Sequence, residues 1–213
     1  MGDIFQEVEE DIRSDKVRSI WKKYRVYIIL LLLLIVCSVG IKSFWDYYKL
    51  KNLETRSENY FKAIDLINQD GGIGGIQALT TFSEQNGENE NYLTMISNFT
   101  EAALRRNNND LKNSLEIYSV IINGDIDITY KDYAKIQSAE VLMELKNYKE
   151  AKVFLSEVTG SLFSNIAKEY TGDIELYEGN TSKAKDIFQE VVDDASVQNT
   201  IKDRIKEILV TLK

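Results

Sequence analysis

The chain has 213 residues, 26 Lys and Arg against 34 Asp and Glu, a net charge of −8, one cysteine, no histidine and no proline. A lone cysteine excludes a disulfide scaffold. The missing histidine removes the usual general base and the commonest metal ligand.

Residues 3–21 read as a short amphipathic helix. Ile4, Phe5, Val8, Ile12, Ile20 and Trp21 fall at helical spacing among charges. Such a tail either lies against a membrane leaflet or docks on a membrane partner. Next, Ile28 to Val36 are nine consecutive Ile, Leu or Val, inside an uncharged run from Val26 to Ile41. With the aromatic flanks from Tyr24 to Trp45, a helix at about 1.5 Å per residue crosses a 30 Å hydrocarbon layer. Nine branched aliphatics contribute on the order of −3 to −5 kcal/mol to insertion.

Six basic residues precede the span: Arg13, Lys16, Arg18, Lys22, Lys23 and Arg25. Only Lys42 lies at its far edge, so the positive-inside bias predicts a cytoplasmic N-terminus and an exported C-terminal part. Trp21, Tyr24 and Tyr27 on one side, and Phe44, Trp45, Tyr47 and Tyr48 on the other, form interfacial belts. A cleaved signal peptide ending at Ser38-Val39-Gly40 is the rival. Its 25-residue charged n-region and the apolar residues after Gly40 oppose it. A lipoprotein site at Cys37 is opposed by the bulky Val36 before it.

Residues 46–213 carry 19 basic and 28 acidic groups, a net −9. That balance argues against nucleic acid or anionic lipid as partner of this part. The helix of the span is expected to continue towards Asn68, until Gln69-Asp70-Gly71-Gly72-Ile73-Gly74-Gly75 breaks it. This cluster lacks the Lys-Ser/Thr of a phosphate loop and no strand precedes it. An amphipathic piece follows over 76–85, and Asn86-Gly87-Glu88-Asn89 breaks it. Helices are predicted over 90–106, 110–123, 130–146, 148–159, 162–178, 181–195 and 198–212, with 126–130 as loop.

A repeat runs through these helices. Ser114, Ala151 and Ala184 are 37 and 33 residues apart, each preceded twelve residues earlier by a small residue: Ala102, Ala139 and Gly172. Apolar residues follow at plus four and plus seven: Tyr118 and Ile121, Leu155 and Val158, Phe188 and Val191. This is the tetratricopeptide arrangement, with small residues where two helices of a hairpin cross. A generic helical bundle is the competing reading. The expected fold is all-α, with one N-terminal transmembrane helix and a TPR-like helical-hairpin solenoid. Its expected segments are a tail (1–23), the span (24–45), connecting helices (46–89) and repeats (90–213). The last helix caps the stack, with Ile201, Ile205, Ile208 and Leu209 turned inward.

No catalytic, cofactor or metal constellation appears. Asp193-Asp194 and Asp125-x-Asp127 read as solvated charge, since neither has the spacing of a calcium loop. The remaining candidate is a partner groove on the first helix of each hairpin. It comprises Ile96, Phe99 and Ala103 from the first copy, and Tyr133, Ile136, Glu140 and Met143 from the second. Ile166, Glu169, Asp173, Leu176 and Tyr177 come from the third. Any of these residues could instead be core beneath a neighbouring helix. An apolar groove with acidic points suits unfolded segments or a helix with basic flanks, and it lacks the Lys and Asn cluster of carboxylate-clamping grooves.

The tail Asp3-Ile4-Phe5-Gln6-Glu7-Val8-Glu9-Glu10, then Trp21-Lys22-Lys23-Tyr24, the single span, the exit Phe44-Trp45-Asp46-Tyr47-Tyr48 and the degenerate repeats resemble the YfgM-type family. These are inner-membrane proteins and ancillary subunits of the SecYEG translocon. The resemblance implies a periplasmic domain tethered beside the Sec translocon, with a PpiD-type periplasmic chaperone and unfolded clients as partners. It brings no catalytic residue, cofactor or small-molecule substrate. A structural scaffold for envelope assembly or cell division is the alternative function.

Overall fold

The structure is a computed structural model that describes residues 2–70, 72–87 and 92–212, with side chains at Arg18, from Trp21 to Ile67 and in the later segments. It divides into two compact units, Met1–Arg56 and Ser57–Lys213. The helices are α1 (Gly2–Asp70), α2 (Ile73–Asn86), α3 (Tyr92–Asn107), α4 (Leu111–Asn123), α5 (Ile128–Glu144), α6 (Tyr148–Ser156), α7 (Ser161–Tyr177), α8 (Thr181–Asp193) and α9 (Asn199–Thr211). No strand occurs among the described residues.

The tail and the span are one continuous helix rather than two elements, because no proline interrupts them. Of the apolar face expected on the tail, Trp21 is exposed and the rest lies outside the described side chains. Trp21–Ile67 contains one stretch long and apolar enough, by length and composition, to cross a membrane. Every side chain from Val26 to Ile41 is exposed, so none of the described residues covers it.

The second unit is built from hairpins. Each helix packs on its neighbour, α2 on α3, α3 on α4, α4 on α5, α5 on α6, α7 on α8 and α8 on α9, while α5 and α6 both touch α7. The small residues sit where expected, at the crossings of α3 with α4, α5 with α6 and α7 with α8. Ala102, Ser114, Ala139, Ala151 and Ala184 are fully buried. Ser114 replaces an alanine without an orphaned hydroxyl, since its Oγ donates to the Ala102 carbonyl at 2.9 Å. A Cβ on Gly172 would stand 2.5 Å from Phe188 Cε1, so the phenyl ring needs the glycine.

The same register recurs one hairpin earlier, where the sequence reading placed connecting helices. Ala63 and Gly75 are buried and twelve residues apart, and Leu79 and Phe82, both buried, follow at plus four and plus seven. The end of α1 and α2 therefore pack as a repeat hairpin. Tyr60 meets Phe82 edge-on, with centroids 6.0 Å apart. The glycine run breaks the chain over a shorter stretch than expected: Ile73, Gly74 and Gly75 already belong to α2. A Cβ on Gly75 would come within 3.0 Å of the Ile67 Cα, so its absence lets the two helices close together.

The three later hairpins share one turn. Asn109, Lys146 and Gly179 have φ of 60°, 58° and 80°. Each stands five residues before its hairpin's second small residue. The N–H groups of Asp110, Asn147 and Asn180 bond to the carbonyls of Arg105, Leu142 and Glu175, all at 2.8 Å. Those of Asn109, Lys146 and Gly179 bond to Arg106, Met143 and Leu176 at 2.9, 2.9 and 3.0 Å. This is the Schellman pair of bonds, three times over. Lys146 is the poorest fit, because a Cβ is strained at positive φ. Lys146→Gly is expected to stabilise the fold by about 0.5–1 kcal/mol, measured by urea unfolding of the full chain in micelles.

Two boundaries differ from expectation for identifiable reasons. Helix α5 starts at Ile128, inside the expected loop, because Asp127 caps it and accepts from the Thr129 N–H at 2.8 Å. Helix α6 stops at Ser156, three residues early. Asp132 Oδ2 accepts from the N–H groups of Thr159 (3.2 Å) and Gly160 (2.7 Å), and Lys135 Nζ takes the Glu157 carbonyl at 2.7 Å. These contacts divert the backbone groups that a longer helix would use. At the C-terminal end, α9 buries Ile205 against Phe188, Val191 and Val197, with Ile201, Ile208 and Leu209 half-buried beside them.

Candidate functional site

The first helices of the hairpins, α3, α5 and α7, lie side by side with a regular stagger. Phe99 stacks obliquely on Tyr133 at 5.2 Å, and Tyr133 on Phe163 at 5.8 Å. Arg106 binds Glu140, and Glu140 accepts from the Tyr170 hydroxyl. In both series the partners are 34 and then 30 residues apart, three short of the repeat spacings of 37 and 33. Each helix is thus displaced by three residues against the last, about 4.5 Å at 1.5 Å per residue.

The surface these helices share has two zones. Ile96, Phe99, Tyr133 and Phe163 make an apolar band nearer their N-termini, with Ile96 and Tyr133 exposed. Nearer the C-termini is a groove of about 420 Å³ that includes Glu140, Met143, Asp173 and Tyr177. Those four candidates come together as the repeat register implies. Ala103 is exposed. Ile136 is not on this surface: it is buried in the core with Ala139, Leu142 and Ala151. Ile166 is half-buried against that core, and Leu176 against the Phe188 cluster. Glu169 is buried too, and Arg204 of α9 grips both of its oxygens, Nε to Oε1 at 2.8 Å and Nη2 to Oε2 at 2.6 Å. Phe99, Ile136 and Glu169 occupy the same register, three residues before the small residue, where the stagger brings the next helix over them.

Other groove residues were not singled out from the sequence: Arg106, Glu144, Lys146, Tyr148 and Tyr170. Arg106 holds the register of Met143 and Leu176, so the repeat contained its signal. Its guanidinium also binds Glu144. Tyr148 and Tyr177 stack nearly parallel, centroids 5.8 Å apart and planes at 11°. Burial, then the Glu140 carboxylate, pushes the Tyr170 phenol well up, so it stays a donor to Glu140. Burial, then the neighbouring Glu169, pushes the Asp173 carboxyl up to about 6, although Arg204 pulls it down. Stability from Asp173 is present below about pH 4 and is lost as pH rises through 6.

The opposite side of α7 shows the reverse case. Glu175 is fully buried between Lys183 Nζ (2.8 Å), Lys152 Nζ (2.9 Å) and Asn180 Nδ2 (2.8 Å). The hydrogen bond from Lys183, then that from Lys152, holds its carboxyl down to about 2. Its contribution is complete above the ordinary carboxylate value and is lost as pH falls from about 4.5 to 2. Glu175→Gln is therefore expected to flatten the acid limb of the stability profile in that window and to lower stability at pH 7. Urea midpoints measured from pH 7 to pH 2 check this.

A second hollow of about 370 Å³ lies among α2, α3 and α4. Its polar groups bind one another: Thr80 Oγ1 donates to Glu101 at 2.7 Å, Arg105 Nε to Glu101 at 2.8 Å, and Ser83 Oγ to Asn98 at 2.7 Å. Among the described residues no group of three His, Cys, Asp or Glu could hold a metal ion.

Comparison with known proteins agrees with this repeat. No curated protein and no solved structure matches the chain. The family model for a tetratricopeptide repeat-like domain matches residues 18–211, which takes in every hairpin described above. The chain belongs to the tetratricopeptide repeat-like domain family, whose domains generally mediate protein–protein interactions.

Proposed function

We propose that this protein is a non-enzymatic, membrane-tethered adaptor that binds segments of partner proteins in the groove across α3, α5 and α7. The observation that carries it is the continuous surface of the staggered helices, with an apolar band beside an acidic, aromatic groove. Tethering supports weak binding, because holding the domain at one membrane raises its local concentration and lets modest contacts suffice.

The finer reading places the domain in the periplasm, the N-terminus in the cytoplasm and the whole beside the Sec translocon of a bacterial inner membrane. There it would act as a chaperone or adaptor for emerging polypeptides with a PpiD-type chaperone. Its supports are the six basic residues before the span, the aromatic exit and the resemblance of the tail to YfgM-type proteins. Affinity purification in mild detergent followed by mass spectrometry tests it. Translocon components and nascent chains are the expected catch. One stable envelope partner without any Sec component would replace this reading with the scaffold alternative.

A further inference from the structure

We propose that the groove seats a lysine or arginine side chain of the partner polypeptide, its charge on Asp173 and its stem along the stacked rings of Tyr148 and Tyr177. This rests on the protein-binding reading above and specifies the partner.

The acids around the groove are unequal. Arg106 pairs with both Glu140 and Glu144, and Arg204 grips Glu169 from both oxygens; with Lys146 also in the lining, the groove's three carboxylates outnumber its two cations by one. Asp173 lines the groove and, among the described residues, accepts no hydrogen bond and makes no ion pair. It is half-buried, so its charge is only partly compensated by water. Burial already disfavours the ionised form, as its raised pKa records. Arg204 draws on the Asp173 carboxyl from α9, but its guanidinium hydrogen bonds are closed on Glu169, so a cation arriving at Asp173 meets a carboxylate whose hydrogen-bonding capacity is unused. Lining the same groove, the parallel pair of Tyr148 and Tyr177 offers ring faces to an alkyl or guanidinium stem. An anionic segment would meet the same carboxylate unfavourably.

The position of the apolar band adds a spacing rule. Phe163, in that band, precedes Asp173 by ten residues on α7, about 15 Å. A bound segment would place an apolar anchor about that far from its basic residue, about ten residues away if helical or four or five if extended.

Fluorescence anisotropy of labelled 15-residue peptides, titrated with the full chain in detergent micelles, tests this. One peptide carries Leu and Lys ten residues apart; a second has norleucine in place of the Lys and a third has Glu. The Lys peptide is expected to bind roughly ten-fold tighter than the norleucine peptide, and the Glu peptide most weakly. Asp173→Asn is expected to abolish the preference, bringing the Lys peptide to the affinity of the norleucine peptide. That variant removes a charge the fold disfavours, so it should retain its helical circular dichroism. Tyr177→Ala is expected to weaken the Lys and norleucine peptides alike, since both carry the alkyl stem that the ring holds. Equal affinities for Lys and norleucine, or a preference that survives in Asp173→Asn, overturns the cation seat and leaves the groove reading intact. Absence of binding by every peptide overturns both.

Discussion

Asp132→Ala is expected to lower stability by about 3–5 kcal/mol, the range for breaking a buried ion pair. Asp132 is fully buried on α5, yet almost everything it touches lies elsewhere in the chain. One oxygen takes the N–H groups of Thr159 and Gly160, at the start of α7; the other pairs with Lys135 Nζ at 3.1 Å. Alanine would strand two backbone donors and a nearly buried ammonium together. Adding Lys135→Met should restore part of the loss, because the uncompensated cation goes with it. Urea unfolding of the full chain in micelles, read by circular dichroism as a double-mutant cycle, gives both numbers. A loss below 1 kcal/mol would mean that water replaces the carboxylate.

Phe188→Ala is expected to cost about 3–5 kcal/mol. The ring is fully buried, covers Gly172 on α7 and joins α8 to α9 through Val191, Val197 and Ile205. Its neighbours differ from those of Asp132 in one respect: they sit at the end of the array. Repeat stability is close to a sum of local terms. Hydrogen exchange should therefore accelerate first in α8 and α9, while α3 to α5 keep their protection. Uniform acceleration would show that the array unfolds as one unit.

The hairpin helices were legible because apolar period and small-residue spacing agree. Ala139 and Ala151, or Ser114 with its bonded hydroxyl, mark crossings that the fold uses. The first hairpin carried the same marks in Ala63, Gly75, Leu79 and Phe82. They were masked because Gly72 and Gly74 make that stretch look like a break, whereas Gly75 is there for close packing. Groove residues were legible only in part. Glu140, Met143, Asp173 and Tyr177 follow from position on their own helices. The burial of Ile136 and Glu169 depends on the neighbouring helix, whose offset no single helical wheel contains. Asp132 gave no signal, since its partners are backbone amides 27 and 28 residues away.

The three-residue offset between α3, α5 and α7 makes the rows of side chains interchangeable. Were the middle hairpin excised, the same displacement would carry Arg106 onto Asp173 and Phe99 onto Ile166. Charge would still meet charge and ring would still meet aliphatic. Along these two rows, a change in the number of modules would therefore leave the joining faces matched.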